Sequence, residues 1–333
     1  MKTETISKNK NLHDAKNAKK DEFYTQITDI EKELNHYKDH FKDKVVYCNC
    51  DDPRVSNFFR YFALNFEFLG LKKLITTCYK SQNPDIFSQH DSEKAIYLEY
   101  DGNKTGTPTP DINDSQIIHL ESDGDFRSQE CIELLKQVDI VVTNPPFSLF
   151  REYVAQLIEY DKKFLIIGHQ NAITYKEIFK LIKENKIWIG FNNFDNSRFV
   201  APIEYNIGSK YNEILKNQPD KCLTRVSGLK WFTNLDHRKR HEILDIYKKY
   251  NPDEYPKYDN YDAINVDKVA DIPIDYDGAM GVPVTFIDKY NPEQFEILGK
   301  MSTTGIDESN FGYPFVNGTK IYARMIIKNK QKI

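Results

Sequence analysis

The chain has 333 residues, 40% of them hydrophobic and 29% charged, which is typical of a globular protein with one large domain and an appendage, or with two domains. Its 46 basic and 50 acidic residues give a formal net charge of −4, so nucleic acid could be bound only through local basic clusters. The polar, Lys-rich N-terminal stretch argues against a secretory signal, and no apolar run approaches the roughly 20 residues that cross a bilayer. We therefore expect a cytoplasmic protein that does not enter a membrane.

The cysteines give no indication of a metal site. Five are scattered through the sequence, and an odd, scattered set favours reduced thiols over a disulfide framework. Cys48 and Cys50 have CxC spacing, but no second pair of Cys or His residues lies near them in sequence to complete a tetrahedral zinc site. We expect no bound metal.

The N-terminal part of the chain begins with a polar segment and then alternates between helix and strand patterns. Residues 1–20 lack hydrophobic periodicity and predict a flexible basic arm. Apolar residues at spacings of three and four predict a helix over residues 21–41, and a buried strand follows at 44–48. A polar turn then leads into a helix over 54–69, which we expect to end at Gly70.

The alternation of strands and helices continues to about residue 190. Further strands are predicted at 73–78, 94–100, 116–120, 138–143, 163–168 and 187–189, and further helices at 127–137, 149–160 and 174–185. We interpret the strands at 94–100 and 116–120 as a paired insertion and Ser148 as the N-cap of the following helix. Strands separated by helices predict a parallel sheet with helices on both faces, whose ligands bind beyond the carboxyl ends of the strands.

Beyond residue 190 the sequence becomes rich in aromatic residues and turns. A helix is predicted at 237–250, and strand-like pieces such as 282–286 indicate a mixed or mainly β module. Basic residues cluster at 8–20, 237–241 and 328–332. Each cluster is either a candidate contact for nucleic acid or an ordinary solvated face.

The most informative motif is Asn144-Pro145-Pro146-Phe147, which follows the buried strand at 138–143. A strand that runs into two prolines stops abruptly, because proline lacks the ladder donor and fixes φ at about −65°. A bare Pro-Pro would indicate only a rigid turn. With Asn144 before it, the turn offers two hydrogen-bond acceptors at a fixed separation, namely the Asn144 side-chain oxygen and the Pro145 carbonyl.

Two such acceptors suit an exocyclic amino group. The lone pair of the adenine amino nitrogen is delocalised into the ring, and accepting a hydrogen bond from each amino hydrogen favours the charge that develops as this nitrogen attacks a methyl donor. Phe147 offers a face on which a flipped base can stack, worth about 1–3 kcal/mol. The motif therefore predicts methyl transfer to a planar amino group.

Asn-Pro-Pro-[Phe/Tyr] at the end of a strand resembles the catalytic motif of amino-methyltransferases. The chain as a whole resembles the EcoRI-type adenine-specific DNA methyltransferase family. The similar stretches cover nearly the whole length: residues 21–26, 45–59, 124–128, 139–153, 162–168, 173–176, 231–236, 257–262 and 281–299. Similarity spread this widely is far more specific than a tetrapeptide.

The resemblance implies an α/β fold with a Rossmann-like sheet that binds S-adenosylmethionine (AdoMet) and has helices on both faces. This catalytic domain is expected over residues 21–235, after the basic arm of residues 1–20, and a mixed, β-rich target-recognition region over residues 236–333. The expected protein is a monomeric modification enzyme, paired with a restriction endonuclease, that flips an adenine out of double-stranded DNA and methylates its N6 amino group. The resemblance also makes a duplex that contains GAATTC the first DNA substrate to test.

The resemblance also implies roles for individual residues. The catalytic motif is matched by Asn144, Pro145, Pro146 and Phe147. The cofactor is expected to contact an N-terminal segment, the loop after the first strand and an Asp-Phe pair, represented here by Tyr24, Thr25, Cys48, Asn49, Asp51, Asp125 and Phe126. Apart from the resemblance, basic residues after position 190 are candidates to contact DNA phosphates or guanine edges as a cluster, although each could instead be an ordinary surface charge: Arg198, Arg225, His237, Arg238, Lys239 and Arg240. Candidates to stack on the flipped base opposite Phe147 are Trp188, Phe191, Phe194 and Phe199, with a core role favoured for Trp188.

Two departures from the family pattern concern the cofactor. The loop after the first strand, residues 48–54, contains no glycine, although glycine there lets a ligand approach the backbone. The acid that usually follows the second strand and binds the ribose is absent from residues 76–80, so the ribose ligand is unassigned. Two alternatives remain open: a methyltransferase for protein glutamine or RNA adenine, and a DNA-binding relative that has lost catalysis.

Overall fold

The computed structural model describes residues 25–50, 56–79, 95–102, 118–194, 197–202, 213–216 and 218–330. The chain forms two compact units. The first consists of Met1–His169 and Asn192–Trp231, and the second of Gln170–Phe191 and Phe232–Ile333. The domain boundary that we placed between residues 235 and 236 stays a prediction.

The helices of the first unit bury one apolar face each, as their residue spacing predicts. They are α1 (Ile27–Leu34), α2 (Asn57–Leu64), α3 (Phe66–Leu69), α4 (Gln129–Lys136) and α5 (Phe150–Glu159). The Ser56 hydroxyl caps α2 by accepting from two backbone amides, and the Ser128 hydroxyl caps α4 in the same way with one. Gly70 ends α3 in the left-handed conformation, so the predicted C-cap is confirmed.

The strands of the first unit form the sheet that carries the candidate site. They are β1 (Val45–Asn49), β2 (Lys73–Cys78), β3 (Ile96–Tyr100), β4 (Ile118–His119), β5 (Ile140–Thr143) and β6 (Lys163–His169). The order is β4-β3-β2-β1-β5-β6, and the sheet continues with residues 229–231 of β11 (Leu229–Thr233) and residues 192–193 of β7 (Trp188–Asn193). This is the α/β class that the sequence predicted.

Strand direction divides the sheet into a parallel centre and an antiparallel edge. Strands β2, β1, β5 and β6 are parallel neighbours. Strand β3 pairs with β2 in the antiparallel sense, and β4 pairs with β3 likewise. The predicted pairing of the insertion strands is confirmed, and the structure adds that this pair extends the parallel sheet at one edge.

A smaller antiparallel sheet also belongs to the first unit. Its strands are β8 (Phe199–Pro202), β9 (Glu213–Leu215) and β10 (Gln218–Thr224), in the order β8-β10-β9. Phe194 and Phe199 are buried beside Trp231, and the Phe194 ring stacks on the Trp231 ring with centroids 5.2 Å apart.

The second unit is β-rich. Its six-stranded sheet has the order β12-β13-β19-β14-β16-β15, and a two-stranded hairpin is formed by β17 and β18. The bounds are β12 (Ala263–Asn265), β13 (Ala279–Pro283), β14 (Phe295–Met301), β15 (Ile306–Asp307), β16 (Asn310–Phe311), β17 (Phe315–Val316), β18 (Thr319–Lys320) and β19 (Arg324–Asn329). The helix α6 (Lys176–Lys183) also belongs to this unit and buries Ile178, Phe179 and Ile182. The β-rich character of the C-terminal region is thus confirmed.

Two predicted helical features were wrong. Residues 237–250 contain only a 3-10 turn, Arg238–His241, where a helix was expected. The side chain of Gln294 bonds both the backbone N–H and the carbonyl of Leu244, at 2.8 Å each, and so satisfies the groups that a helix would use. Ser148 does not cap α5, because the 3-10 turn Phe147–Leu149 precedes this helix and Leu149 is its N-cap residue.

Candidate active site

The Asn144-Pro145-Pro146-Phe147 motif lies at the carboxyl end of β5, in the first unit. Strand β5 ends at Thr143, and the 3-10 turn Phe147–Leu149 begins three residues after Asn144. Pro145 is buried, whereas the side chains of Asn144 and Phe147 are partly accessible. The turn is closed by a hydrogen bond of 3.0 Å from the Leu149 N–H to the Pro146 carbonyl. The strand therefore stops where the two prolines predict it to stop.

The carboxyl end of β1 lies directly beside the motif. The Thr143 hydroxyl donates a hydrogen bond to the backbone carbonyl of Asn49, the last residue of β1. Asn49 and Cys48 are both buried. Cys50 follows with φ of 67°, the left-handed conformation that glycine normally supplies in this loop. This loop, which lacks glycine, thus contains a cysteine in a backbone conformation typical of glycine.

The N-terminal segment reaches the same region of the first unit. The Thr25 carbonyl accepts a hydrogen bond of 2.8 Å from the Asn57 side chain, at the start of the helix that follows β1. The Thr25 hydroxyl is buried and has no hydrogen-bond partner within the described chain. Tyr24 and Asp51, which we also expected at the cofactor, lie outside the described residues.

The Asp-Phe pair is brought to the sheet by a glycine. Gly124 has φ of 75°, and a Cβ there would lie 2.6 Å from the carbonyl oxygen of Cys78, the last residue of β2. Such close packing admits only glycine. It places Asp125 next to the carboxyl end of the second strand, where a cofactor is expected in this class of sheet.

Asp125 is held in its ionised form by Arg127. One carboxylate oxygen accepts from the Arg127 backbone N–H and Nε at 2.9 Å each, and the other accepts from Nη2 at 2.8 Å. These hydrogen bonds from Arg127 lower the pKa of Asp125 below its usual range. A carboxylate has about four lone-pair sites, so Asp125 can still accept from a ligand amino group.

Phe126 is more deeply placed than the sequence suggests. Its ring is only 3% exposed and meets the edge of Tyr153, on α5, with centroids 5.0 Å apart. The Gln156 side chain donates to the Phe126 carbonyl at 3.0 Å. The ring is a core residue, and its predicted stacking beside the cofactor stays a prediction.

With this geometry in place, the comparison with known proteins decides the family. Residues 11–330 match the family model described as adenine-specific methyltransferase EcoRI. The chain belongs to this family. It is therefore an adenine-specific DNA methyltransferase of the restriction-modification type, and the resemblance seen in the sequence is confirmed. No solved structure matches the chain.

The relatives of this methyltransferase cover nearly its whole length. It is 53% identical to the Type II methyltransferase M.EcoRI of Escherichia coli, over 97% of each chain. It is 39% identical to the Type II methyltransferase M.MgeORF184P of Mycoplasma genitalium, over 95% of this chain and 98% of the relative. It is 38% identical to the Type II methyltransferase M.MpnI of Mycoplasma pneumoniae, over 96% of this chain and 98% of the relative. The protein-glutamine, RNA and inactive alternatives receive no support from these comparisons.

The predicted DNA contacts of the methyltransferase fall in both units. In the first unit, Arg198 and Arg225 are exposed, and Arg198 forms an ion pair of 3.1 Å with Glu213. In the second unit, the 3-10 turn Arg238–His241 carries three of the predicted contacts. The geometry therefore brings the second group together in space but keeps it in a different unit from Arg198 and Arg225.

The second-unit cluster contains residues of different exposure. His237 is only 6% exposed, and its Nε2 lies 3.0 Å from the Ile189 carbonyl. Burial lowers the pKa of His237 to about 4, so it is neutral at neutral pH. Arg240 stacks on Trp188 with its guanidinium 3.9 Å from the ring centroid, whereas Arg238 is exposed.

Sequence reasoning missed two residues at this site. The sequence indicates Thr143 only as part of a strand, although its hydroxyl joins β5 to β1. Tyr79 follows β2 at the position where the family's acid is absent, and Gly124 packs closely against its Cα. Burial raises the pKa of Tyr79, with a smaller contribution from Asp123 and Asp125. Its position after the second strand was the only signal available in the sequence.

The described residues offer no other kind of centre. Among them, no group of three His, Cys, Asp or Glu side chains is arranged to hold a metal ion. No helix in the described ranges is long and apolar enough to cross a membrane.

Proposed function

We propose that this methyltransferase transfers the methyl group of AdoMet to the N6 amino group of an adenine that is flipped out of double-stranded DNA. One observation carries the proposal: the Asn144-Pro145 turn is hydrogen-bonded, through Thr143, to the end of β1, where the cofactor loop begins. The acceptor half and the donor half of the reaction thus meet at one edge of the sheet, which is the usual ligand edge of such folds.

The chain's own contribution is to hold the amino group and the base. The Asn144 side-chain oxygen and the Pro145 carbonyl each accept one amino hydrogen, which raises the electron density on nitrogen as it attacks. Proline fixes the backbone of this turn, so both acceptors are arranged before the base arrives. Phe147, whose ring is partly accessible, stacks on the base. The nitrogen loses a proton to solvent after it gains the methyl group, so a strong general base is not required.

The residues around the end of β1 fit AdoMet, which supplies a methyl group activated by a sulfonium. Asn49 and Cys48 end β1, and the left-handed Cys50 turns the backbone as a glycine would. Thr25 contributes a buried hydroxyl without a partner in the described chain, as expected for a group that binds a ligand. In this proposal Asp125 accepts a hydrogen bond from the adenine amino group of the cofactor. Tyr24 and Asp51 complete the proposed set.

We also propose the setting in which the enzyme works. The enzyme acts as a monomer in the cytoplasm and protects DNA from a partner restriction endonuclease. The Type II class of its bacterial relatives supports the link to restriction. Local basic residues, rather than the net charge of −4, bind the DNA phosphates.

A transfer assay tests the proposal. The purified protein is incubated with AdoMet that carries a labelled methyl group and with a duplex containing GAATTC, an RNA or a protein substrate. Label is expected in the duplex, and a duplex that already carries N6-methyladenine at the target is the control and should remain unlabelled. Label in protein or RNA but never in DNA would contradict the proposal.

The role of Asn144 is tested separately by Asn144→Ala. We expect kcat to fall by about 10²- to 10³-fold, because one of two preorganised acceptors is lost. AdoMet binding, measured by calorimetry, should change little, because Asn144 faces the acceptor base in this proposal. A variant that retains wild-type kcat would show that Asn144 has a different role.

A further inference from the structure

We infer that the Thr143 hydroxyl is a positioning group for the methyl-transfer reaction: it holds the Asn144-Pro145 turn against the cofactor loop. The inference rests on the proposed function, in which Asn144 binds the target amino group. It adds a residue that neither the motif nor the family similarity assigns.

The link lies beyond the backbone pairing of the two strands. Strands β1 and β5 are paired in register at Val46 with Ile140 and at Tyr47 with Val141. Two residues further along, the Thr143 hydroxyl donates to the Asn49 carbonyl and so joins the strand ends through a side chain. Thr143 is completely buried and Asn49 is 3% exposed, so water does not compete for this bond.

The position of Thr143 makes this bond relevant to catalysis. Asn144 follows it directly, and Asn144 itself precedes a proline, which restricts its backbone to extended conformations. The prolines after Asn144 are equally rigid. The Asn144 acceptor therefore has little freedom of its own, and its distance from the cofactor loop depends on how Thr143 is anchored.

Thr76 provides a matched comparison on the other side of β1. Its hydroxyl donates to the carbonyl of Cys48 at 3.0 Å, and Thr76 is completely buried. Both threonines thus join a neighbouring strand to a carbonyl at the end of β1. Thr76 lies on β2, which does not carry the Asn-Pro-Pro-Phe motif. Variants that lack one hydroxyl or the other therefore distinguish a general loss of stability from a displacement of the Asn144-Pro145 turn.

The experiment compares Thr143→Val, Thr143→Ser and Thr76→Val in the full-length enzyme with a GAATTC duplex. Valine keeps the shape of threonine but lacks the hydroxyl, and serine keeps the hydroxyl. We expect Thr143→Val to lower kcat by about ten- to a hundred-fold, since small displacements of reacting groups have effects of this size. KM for DNA and for AdoMet should stay within about threefold, because most of the contacts that bind them do not depend on this hydrogen bond. Thr143→Ser should restore most of kcat.

Thr76→Val should lower the melting temperature about as much as Thr143→Val while keeping kcat within about twofold of the wild type. Equal kcat for the two valine variants, or a Thr143→Ser variant as slow as Thr143→Val, would overturn the inference. If Thr143→Val does not fold, Thr143→Ser and Thr143→Ala provide the same comparison, because serine keeps the hydroxyl and alanine lacks it. Wild-type protein that methylates no duplex at all would instead contradict the proposed function, so the two failures are distinguishable.

Discussion

Gly124 shows how a single residue sets the geometry of the loop that carries Asp125, a proposed cofactor ligand. A side chain at this position meets two obstacles: the positive φ of 75°, and atoms of Cys78 and Ala95 at 2.6 and 2.7 Å from the added Cβ. Either a shift of the loop or a shift of the strand end would be needed to make room. Asp125 would move with the loop, because it follows Gly124 directly.

We therefore predict that Gly124→Ala weakens both folding and cofactor binding. The backbone strain alone costs about 1–3 kcal/mol, and the steric contact adds to it. Gly318→Ala is the matched control, because Gly318 has a similar φ of 72° but nothing within 4 Å of its added Cβ. Thermal unfolding should show a larger loss for Gly124→Ala, and calorimetry should show weaker AdoMet binding for this variant alone. Unchanged AdoMet affinity would argue against the placement of Asp125 in the cofactor site.

The turn at Asn144-Pro145-Pro146-Phe147 could be predicted from sequence because its residues are consecutive and two prolines end the strand before it. The bond between Thr143 and Asn49 could not, because these residues are 94 positions apart and their contact depends on strand order. Cys50 was equally hidden, since its left-handed backbone conformation is one that cysteine rarely adopts. Residues that act through distant contacts need the fold before they can be found.

At the scale of secondary-structure elements, the 3-10 turn Arg238–His241 stands where a helix was predicted. His237, the residue before this turn, is buried. The apolar residues that suggested a helix are not buried on one face: Ile243 is 73% exposed and Tyr247 is 77% exposed. Periodicity alone cannot reveal that Gln294 bonds the backbone of Leu244 instead. Strands β1, β2 and β5 were predicted correctly because they are short, buried and bounded by turns.

Burial of His237 predicts a pH dependence of stability. Its pKa is about 4 in the folded protein against an ordinary value of 6.5, so the unfolded state binds more protons between these values. The free energy of unfolding should therefore decrease as the pH falls from 6.5 to about 4, by at most about 1.4 kcal/mol per pH unit from this group. Above pH 6.5 His237 is neutral in both the folded and the unfolded state, so it does not change the free energy of unfolding with pH.

His237→Gln tests this expectation, because glutamine can still donate to the Ile189 carbonyl but does not titrate. Chemical denaturation at pH 7.5, 6.5, 5.5 and 4.5 (values spaced about one unit apart across the window) gives the free energy of unfolding at each step. The variant should lose less stability than the wild type on acidification. His119→Gln, which removes an exposed histidine, is the control. Parallel curves for wild type and His237→Gln would show that His237 is accessible to protons in the folded state.

For the whole molecule, the α/β class and the parallel direction of the central strands follow from the alternation of strands and helices. The pairing of the insertion strands was also predicted, but their place at the edge of the sheet depends on the contact between β2 and β3. The division of the chain into units is likewise invisible in the sequence, because residues 170–191 join the C-terminal part of the chain. Charge is the property of the whole molecule that bears most directly on function. A net charge of −4 repels DNA at long range, so attraction must be local.

The two arginines of the turn Arg238–His241 differ in how freely they can attract DNA phosphates. Arg240 is 14% exposed at its side chain, stacks on Trp188 and lies 3.6 Å from Asp236, so its charge is already engaged. Arg238 is exposed, with its guanidinium over the Phe191 ring at 5.3 Å. We propose that Arg238 is the member of this cluster that contacts a phosphate.

Arg238→Ala should then weaken binding of the duplex at every salt concentration and lower the slope of log K against log salt by about 0.9, the value for one phosphate contact. The loss should be similar for duplexes with and without GAATTC, because a phosphate contact carries no sequence information. Fluorescence anisotropy over a salt series measures both quantities. Arg240→Ala is the matched control and should lower the melting temperature while leaving the slope unchanged, because Arg240 supports Trp188 inside the unit. If Arg240→Ala reduces the slope and Arg238→Ala does not, the phosphate contact belongs to Arg240, and its stacking on Trp188 is then broken when DNA binds.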